Sequence, residues 1–111
     1  SRRSNAPLAV AFVDLDHFKS INDGYGHEAG DRVLTEAAGR MANNLRRGDM
    51  LVRWGGEEFI LVLPNTDLQQ AKEVMQRLRH LGFGLRPDGS PVTASIGLAE
   101  KRHEGAEDWQ Q

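Results

Sequence analysis

The sequence has no cysteine. Disulfides, thiolate metal sites and a cysteine nucleophile are therefore excluded, which fits a reducing compartment. Long apolar runs are missing too. The longest, LAVAFV, is far too short to cross a bilayer and lacks the layout of a signal peptide. The expectation is a soluble, cytoplasmic segment, with any membrane link made by other regions of a longer parent chain. There is no excess of one charge: net charge is −2 and pI about 6.1. That balance gives no support for a broad nucleic-acid or anionic-lipid surface. Repeats, low-complexity tracts and internal linkers are absent. So are GxxxxGK[ST] and GxSxG, the marks of a P-loop and a nucleophile elbow. His17, His27, His80 and His103 show no ligand spacing and read as structural or surface residues.

What is present is ordinary globular composition, 39% hydrophobic and 27% charged over 111 residues, so one domain with one core is expected. Residues 1–7, SRRSNAP, read as a polar lead-in from something upstream. LAVAFVDLD (8–16) is apolar at both parities and predicts a central strand covered on both faces. HFKSINDGYGHEAGD (17–31), with three glycines, predicts a loop with at most one helical turn. The glycines of GYGHEAG have the wrong spacing for a dinucleotide fingerprint and suit a helix start.

Val33, Leu34, Ala37, Ala38, Met41 and Leu45 then recur at helical spacing, with Gly48 placed as the breaker. MLVRW and EFILVL flank Gly55-Gly56, a strong hairpin signal in which both glycines can take positive φ. Thr66 and Gln69 have capping-box spacing ahead of a second helix through Leu68, Ala71, Val74, Met75 and Leu78. FGLRPDGSPVTASIGLA (83–99) predicts a ribbon turning at Pro87-Asp88-Gly89, then a buried strand. The order β-α-β-β-α-β implies an α+β, ferredoxin-like fold: a mainly antiparallel sheet flanked by helices.

Two acidic clusters stand at element ends. Asp14 and Asp16 lie where the central strand meets its exit loop, and Glu57 and Glu58 follow the paired glycines. An acidic hairpin can serve solubility alone. If the hairpin neighbours the central strand, Asp14 and Glu57 converge into an oxygen-only cluster suited to Mg²⁺. Bare glycines beside it would let a phosphate approach the backbone, which fits metal-assisted phosphoryl chemistry.

DLDHFKSINDGYGHEAGD (14–31) followed by RWGGEEF (53–59) closely resembles the GGDEF family of diguanylate cyclases, in its GGEEF variant. RRGD (46–49), LQQAKEVMQRLR and VTASIGLA extend the resemblance from Leu8 to Ala99. It implies one GGDEF domain over 1–111, with a fold like the nucleotidyl cyclase and polymerase palm. It also implies joining of two GTP into cyclic di-GMP with release of pyrophosphate, in bacterial second-messenger signalling. Catalysis would need a homodimer and Mg²⁺, with Mn²⁺ as a substitute, and no nucleic acid.

By position, Asp14, the Leu15 carbonyl and Glu57 correspond to the metal ligands, with Glu57 also helping to activate the 3′-hydroxyl. Asn22 and Asp31 correspond to the guanine readers, and an aspartate can accept from the N1-H and N2-H donors that adenine lacks. Phe18 (by backbone) and Lys19 (by charge) correspond to the loop around the terminal phosphates, and Gly55 and Gly56 to the turn over the α- and β-phosphates. Glu58 is grouped with the catalytic acids. Arg46 and Asp49 match an RxxD product-inhibition site, with Arg77 as a second arginine. Taken singly, Asn22 and Asp31 suit loop and cap roles, Lys19 a solvated surface and Phe18 the core.

The resemblance also implies a further helix and strand, with an ALYxAK-like basic segment, that this sequence does not contain. A shortened domain would have weak or no activity. The competing expectation is a catalytically silent domain that binds GTP or cyclic di-GMP, against which the intact GGEEF argues. A different nucleotidyl cyclase or polymerase palm is opposed by Asn22 with Asp31.

Overall fold

LAVAFVDL, with Pro7 before it, forms strand β1 (Pro7–Leu15), in which side chains alternate between two faces. The structure, a computed structural model, describes residues 6–102; the lead-in up to Asn5 and His103 lie outside that range. Ala9, Ala11, Val13 and Leu15 point into the core, whereas Phe12 on the other face is 50% exposed. This corrects the expectation of a strand covered on both sides. Phe59, Leu61 and Leu63 of β3 (Glu58–Pro64) join the same core as the buried residues of every described helix. The opposite row, with Val10, Phe12, Ile60 and Val62, is apolar but only partly shielded among the described residues. Its hydrophobicity is what made the strand read as doubly buried.

The expected loop after β1 is largely helical. Helix α1 (Phe18–Tyr25) buries Phe18 and Ile21, one helical turn apart, and helix α2 (His27–Ala42) starts directly after Gly26. Three glycines lower helix propensity here, but packing against the core overrides so weak a preference. Helix α2 stops at Ala42, so Leu45 lies beyond it. Gly48 belongs to a separate turn closed by the Asp49 N–H donating to the Arg46 carbonyl at 3.0 Å, and not to the helix end.

Strand β2 (Met50–Arg53) pairs antiparallel with β3, and β3 pairs antiparallel with β1. Helix α3 (Leu68–Leu81) crosses back and buries Ala71, Met75 and Leu78. Its capping box lies one residue later than expected. Asp67 accepts from the Gln70 N–H at 2.8 Å, and the Gln70 side chain accepts from the Asp67 N–H at 2.9 Å. Thr66 cannot serve as the cap because its hydroxyl is engaged elsewhere, with the Pro64 carbonyl and Arg46.

A short ribbon, Leu85 opposite Pro91, precedes β4 (Ala94–Arg102). The last strand is an edge: within it Ala94 is buried while most of its length is exposed, correcting the expectation of a buried strand. Glu100 of this edge accepts from the Leu68 N–H at 2.9 Å, placing a carboxylate at the start of α3, where the helix dipole favours it. The sheet order β2-β3-β1-β4 with its helices on one side is the antiparallel α+β, ferredoxin-like arrangement.

Candidate active site

The exit end of β1 and the β2–β3 hairpin meet at one corner of the sheet. Register sets Asp14 opposite Glu58, and the Leu15 N–H donates to the Glu57 carbonyl at 3.1 Å. The hairpin is wider than a two-residue turn. Its ends are joined by the Trp54 N–H donating to the Glu58 carbonyl at 2.7 Å, and Gly55 alone of the glycine pair takes a positive φ, 80°. Such a conformation suits glycine because it carries no Cβ. Arg53 braces the loop by donating from Nη2 to the Gly56 carbonyl at 2.9 Å.

Beyond the hairpin Phe59 enters the core at 2% exposure, which turns Glu58 to the open face. Phe12, Asp14, Trp54, Glu58 and Ile60 line a cleft of about 430 Å³ there. Among the described residues, the carboxylates of Asp14, Glu57 and Glu58 have neither an ion-pair nor a hydrogen-bond partner. No group of three or more His, Cys, Asp or Glu side chains that could hold a metal ion occurs among those residues. The junction thus presents unpaired carboxylates beside backbone carbonyl oxygens. That suits Mg²⁺, which takes few protein oxygens and completes its shell with water and phosphate.

Asp16 differs. Its carboxylate accepts from Ser95 Oγ at 2.8 Å and Thr93 Oγ1 at 2.9 Å, which ties the end of β1 to β4. Those two bonds, Ser95 first, hold its pKa below the usual carboxylate value against a smaller opposing effect of burial. Sequence reasoning noted Asp16 but missed its partners. Thr93, just before β4, and Ser95 within it, two residues apart, were the available signal.

Next in the chain His17 adopts a left-handed φ of 60°, which turns the backbone sharply into α1. The Phe18 ring is buried, while Lys19 is exposed and pairs with Asp23 at 3.2 Å. Asn22 packs across α1 onto Gly30 of α2. A Cβ on Gly30 would run into the Asn22 side-chain amide and come within 3.1 Å of Phe18 Cζ, so the bare glycine is what lets these side chains lie against α2 as they do. Asp31 follows and lines a second cleft of about 560 Å³ with Leu34, Thr35, Leu51, Arg53 and Phe59. Arg53, which sequence reasoning passed over, therefore links this cleft to the hairpin.

The RRGD turn lies apart from these clefts. Arg46 and Asp49 form an ion pair at 3.4 Å. They line a small cleft of about 210 Å³ with Arg47, Gly48, Pro64 and Asn65. Arg77 is exposed on α3 and is not among the residues lining it.

The family model for "Diguanylate cyclase, GGDEF domain" matches residues 1–111. Diguanylate cyclase DgcP of Pseudomonas aeruginosa is 47% identical over 100 residues, covering 86% of this chain and 15% of DgcP. Among solved structures, diguanylate cyclase SiaD of the same organism aligns with TM-score 0.79 and 42% identity, over 95% of this chain and 42% of that one. The active GGEEF domain of a Vibrio cholerae diguanylate cyclase aligns with TM-score 0.79 and 31% identity, over 87% of this chain and 64% of that one. With this match along its whole length, the chain belongs to the GGDEF family.

Proposed function

We propose that this domain condenses two molecules of GTP into cyclic di-GMP, with Asp14 and Glu57 as the carboxylates of a divalent-cation site. The observation that carries the reading is the bonded junction of β1 and the hairpin, where unpaired acids adjoin a glycine turn. Asp14, Glu57 and the Leu15 carbonyl would hold Mg²⁺, or Mn²⁺ in its place. When bound, the cation offsets the charge that develops on the phosphates in the transition state.

The remaining work falls to the chain's own groups. Asn22 and Asp31, on helices held together at Gly30, read the guanine edge. Gly55 and Gly56 admit the α- and β-phosphates to the hairpin backbone. The Phe18 backbone and Lys19 bind the terminal phosphates, for which Lys19 exchanges its pairing with Asp23. Glu57, with Glu58 beside it, assists removal of the proton from the attacking 3′-hydroxyl. Each hydroxyl attacks the α-phosphorus of the other GTP, and pyrophosphate leaves at each step. Two domains, each carrying one GTP, must face each other to close the product. The RxxD pair, Arg46 and Asp49 with Arg77 contributing, binds cyclic di-GMP and slows the reaction.

The test is incubation of the complete domain with GTP and Mg²⁺, followed by chromatography for cyclic di-GMP and assay of pyrophosphate. Stoichiometric formation of both is expected. GTP binding without product, from a demonstrably dimeric sample, would replace the enzyme by a silent binding module.

A further inference from the structure

Arg46 is held by more than its neighbour in RxxD. Its Nη2 donates to the Pro64 carbonyl and to Thr66 Oγ1, both at 2.9 Å, across 18 and 20 residues of sequence. Thr66 is 3% exposed, and its hydroxyl donates in turn to the same Pro64 carbonyl at 2.9 Å. Asp49, with a side chain only 5% exposed, accepts the Arg46 backbone N–H at 2.7 Å, a stronger contact than its 3.4 and 3.5 Å approaches to the guanidinium. The Arg46 side chain is 62% exposed, and among the described residues Nη1 has no hydrogen-bond partner.

The chemistry of the guanidinium makes this arrangement consequential. An arginine grips a phosphate or a paired acceptor edge through two parallel N–H groups on adjacent nitrogens. Both bidentate edges of the fork, Nη1–Nη2 and Nε–Nη2, use Nη2. That nitrogen carries two hydrogens; the Pro64 carbonyl and Thr66 hydroxyl hold them at 2.9 Å, and Asp49 Oδ1 is a third, longer acceptor at 3.4 Å.

We infer that Thr66 is a positioning residue that holds Arg46 in a latched state, and that two-point capture of a phosphodiester or guanine edge requires Nη2 to leave Thr66. The inference rests on the RxxD reading above and adds the group that sets its threshold. Removing the hydroxyl leaves that Nη2 hydrogen only the longer approach to Asp49 Oδ1, so ligand binding no longer has to break the short bond to Thr66. Thr66 lies between the Arg46 turn and the Asp67 cap of α3, so the same event reaches the start of that helix.

The experiment is calorimetric titration of cyclic di-GMP into the full chain and its variants. Thr66→Val should bind about tenfold more tightly, the scale of one hydrogen bond to a charged group. Thr66→Ala, which introduces no new bulk, should tighten likewise should the valine variant fold poorly. Thr66→Ser keeps the hydroxyl and should bind like the wild type. Arg46→Ala should lose binding. If Thr66→Val and Thr66→Ala, both folded by circular dichroism, bind no more tightly than wild type while Arg46→Ala loses binding, the latch is wrong and the RxxD reading stands. If Arg46→Ala binds as well as wild type, both fall.

Discussion

The Leu15 N–H donates to the Glu57 carbonyl at 3.1 Å, one step beyond the register position where Asp14 faces Glu58. The bond fixes the tip of a glycine hairpin against the end of a central strand. Residues separated by most of a helical pair and a hairpin arm thereby share one corner. Their proximity comes from strand pairing, so the site stands or falls with the β1–β3 register.

The contact between Gly30 and Asn22 gives the first prediction. A methyl on Gly30 would clash with Asn22 Oδ1 and lie 3.1 Å from Phe18 Cζ. Gly30→Ala should cost roughly 1–3 kcal/mol of stability, the usual penalty for overpacking. It should also weaken GTP binding, because the Asn22 side chain, a proposed guanine reader, is forced off Gly30. Chemical denaturation and equilibrium GTP titration measure the two effects. An unchanged denaturation midpoint would show that the helices separate without cost.

Asp16 supplies a pH prediction. Its folded pKa lies below the unfolded value because Ser95 and then Thr93 donate to the charged form. The resulting stabilisation is present above the unfolded pKa, about 3.9, and is lost as pH falls through the lower folded value. Ser95→Ala should therefore melt below wild type near neutral pH, and the gap should narrow in strong acid. A gap independent of pH down to acid unfolding would mean that Ser95 acts through packing alone.

The α3 cap is separable from both. Asp67→Ala removes the acceptor for the Gln70 N–H and should cost about 1 kcal/mol. Thr66→Ser, which keeps the hydroxyl that Arg46 uses, should be nearly neutral by thermal melting. No loss of stability in Asp67→Ala would show that Asp67 does not cap α3.

Hairpin, helices and strand order were legible because alternation, helical spacing and paired glycines are local signals. The cap was misplaced by one residue because Thr66 is chemically a good cap, and only its distant engagement with Arg46 excludes it. Helix α1 was hidden by glycines whose cost packing overrides. The doubly covered strand was a wrong inference from Phe12 and its row, since an apolar open face and a buried one look alike in sequence. The motif did mark that Asp14 and the Glu57–Glu58 pair would meet at one end of paired strands. The bonds of Asp16 to Thr93 and Ser95 were not legible, because they join chain ends far apart in sequence.

The central claim is that Asp14 at the end of β1 and Glu57 in the hairpin loop form one cation site. Mn²⁺ titration by electron paramagnetic resonance, on wild type, Asp14→Asn, Glu57→Gln and the double variant, tests it without relying on turnover. Each single change should weaken Mn²⁺ binding by about tenfold or more. The double change should cost clearly less than the sum of the two, as expected for groups acting on one ion. Undiminished Mn²⁺ binding in either folded single variant, or strictly additive losses, would contradict the shared site.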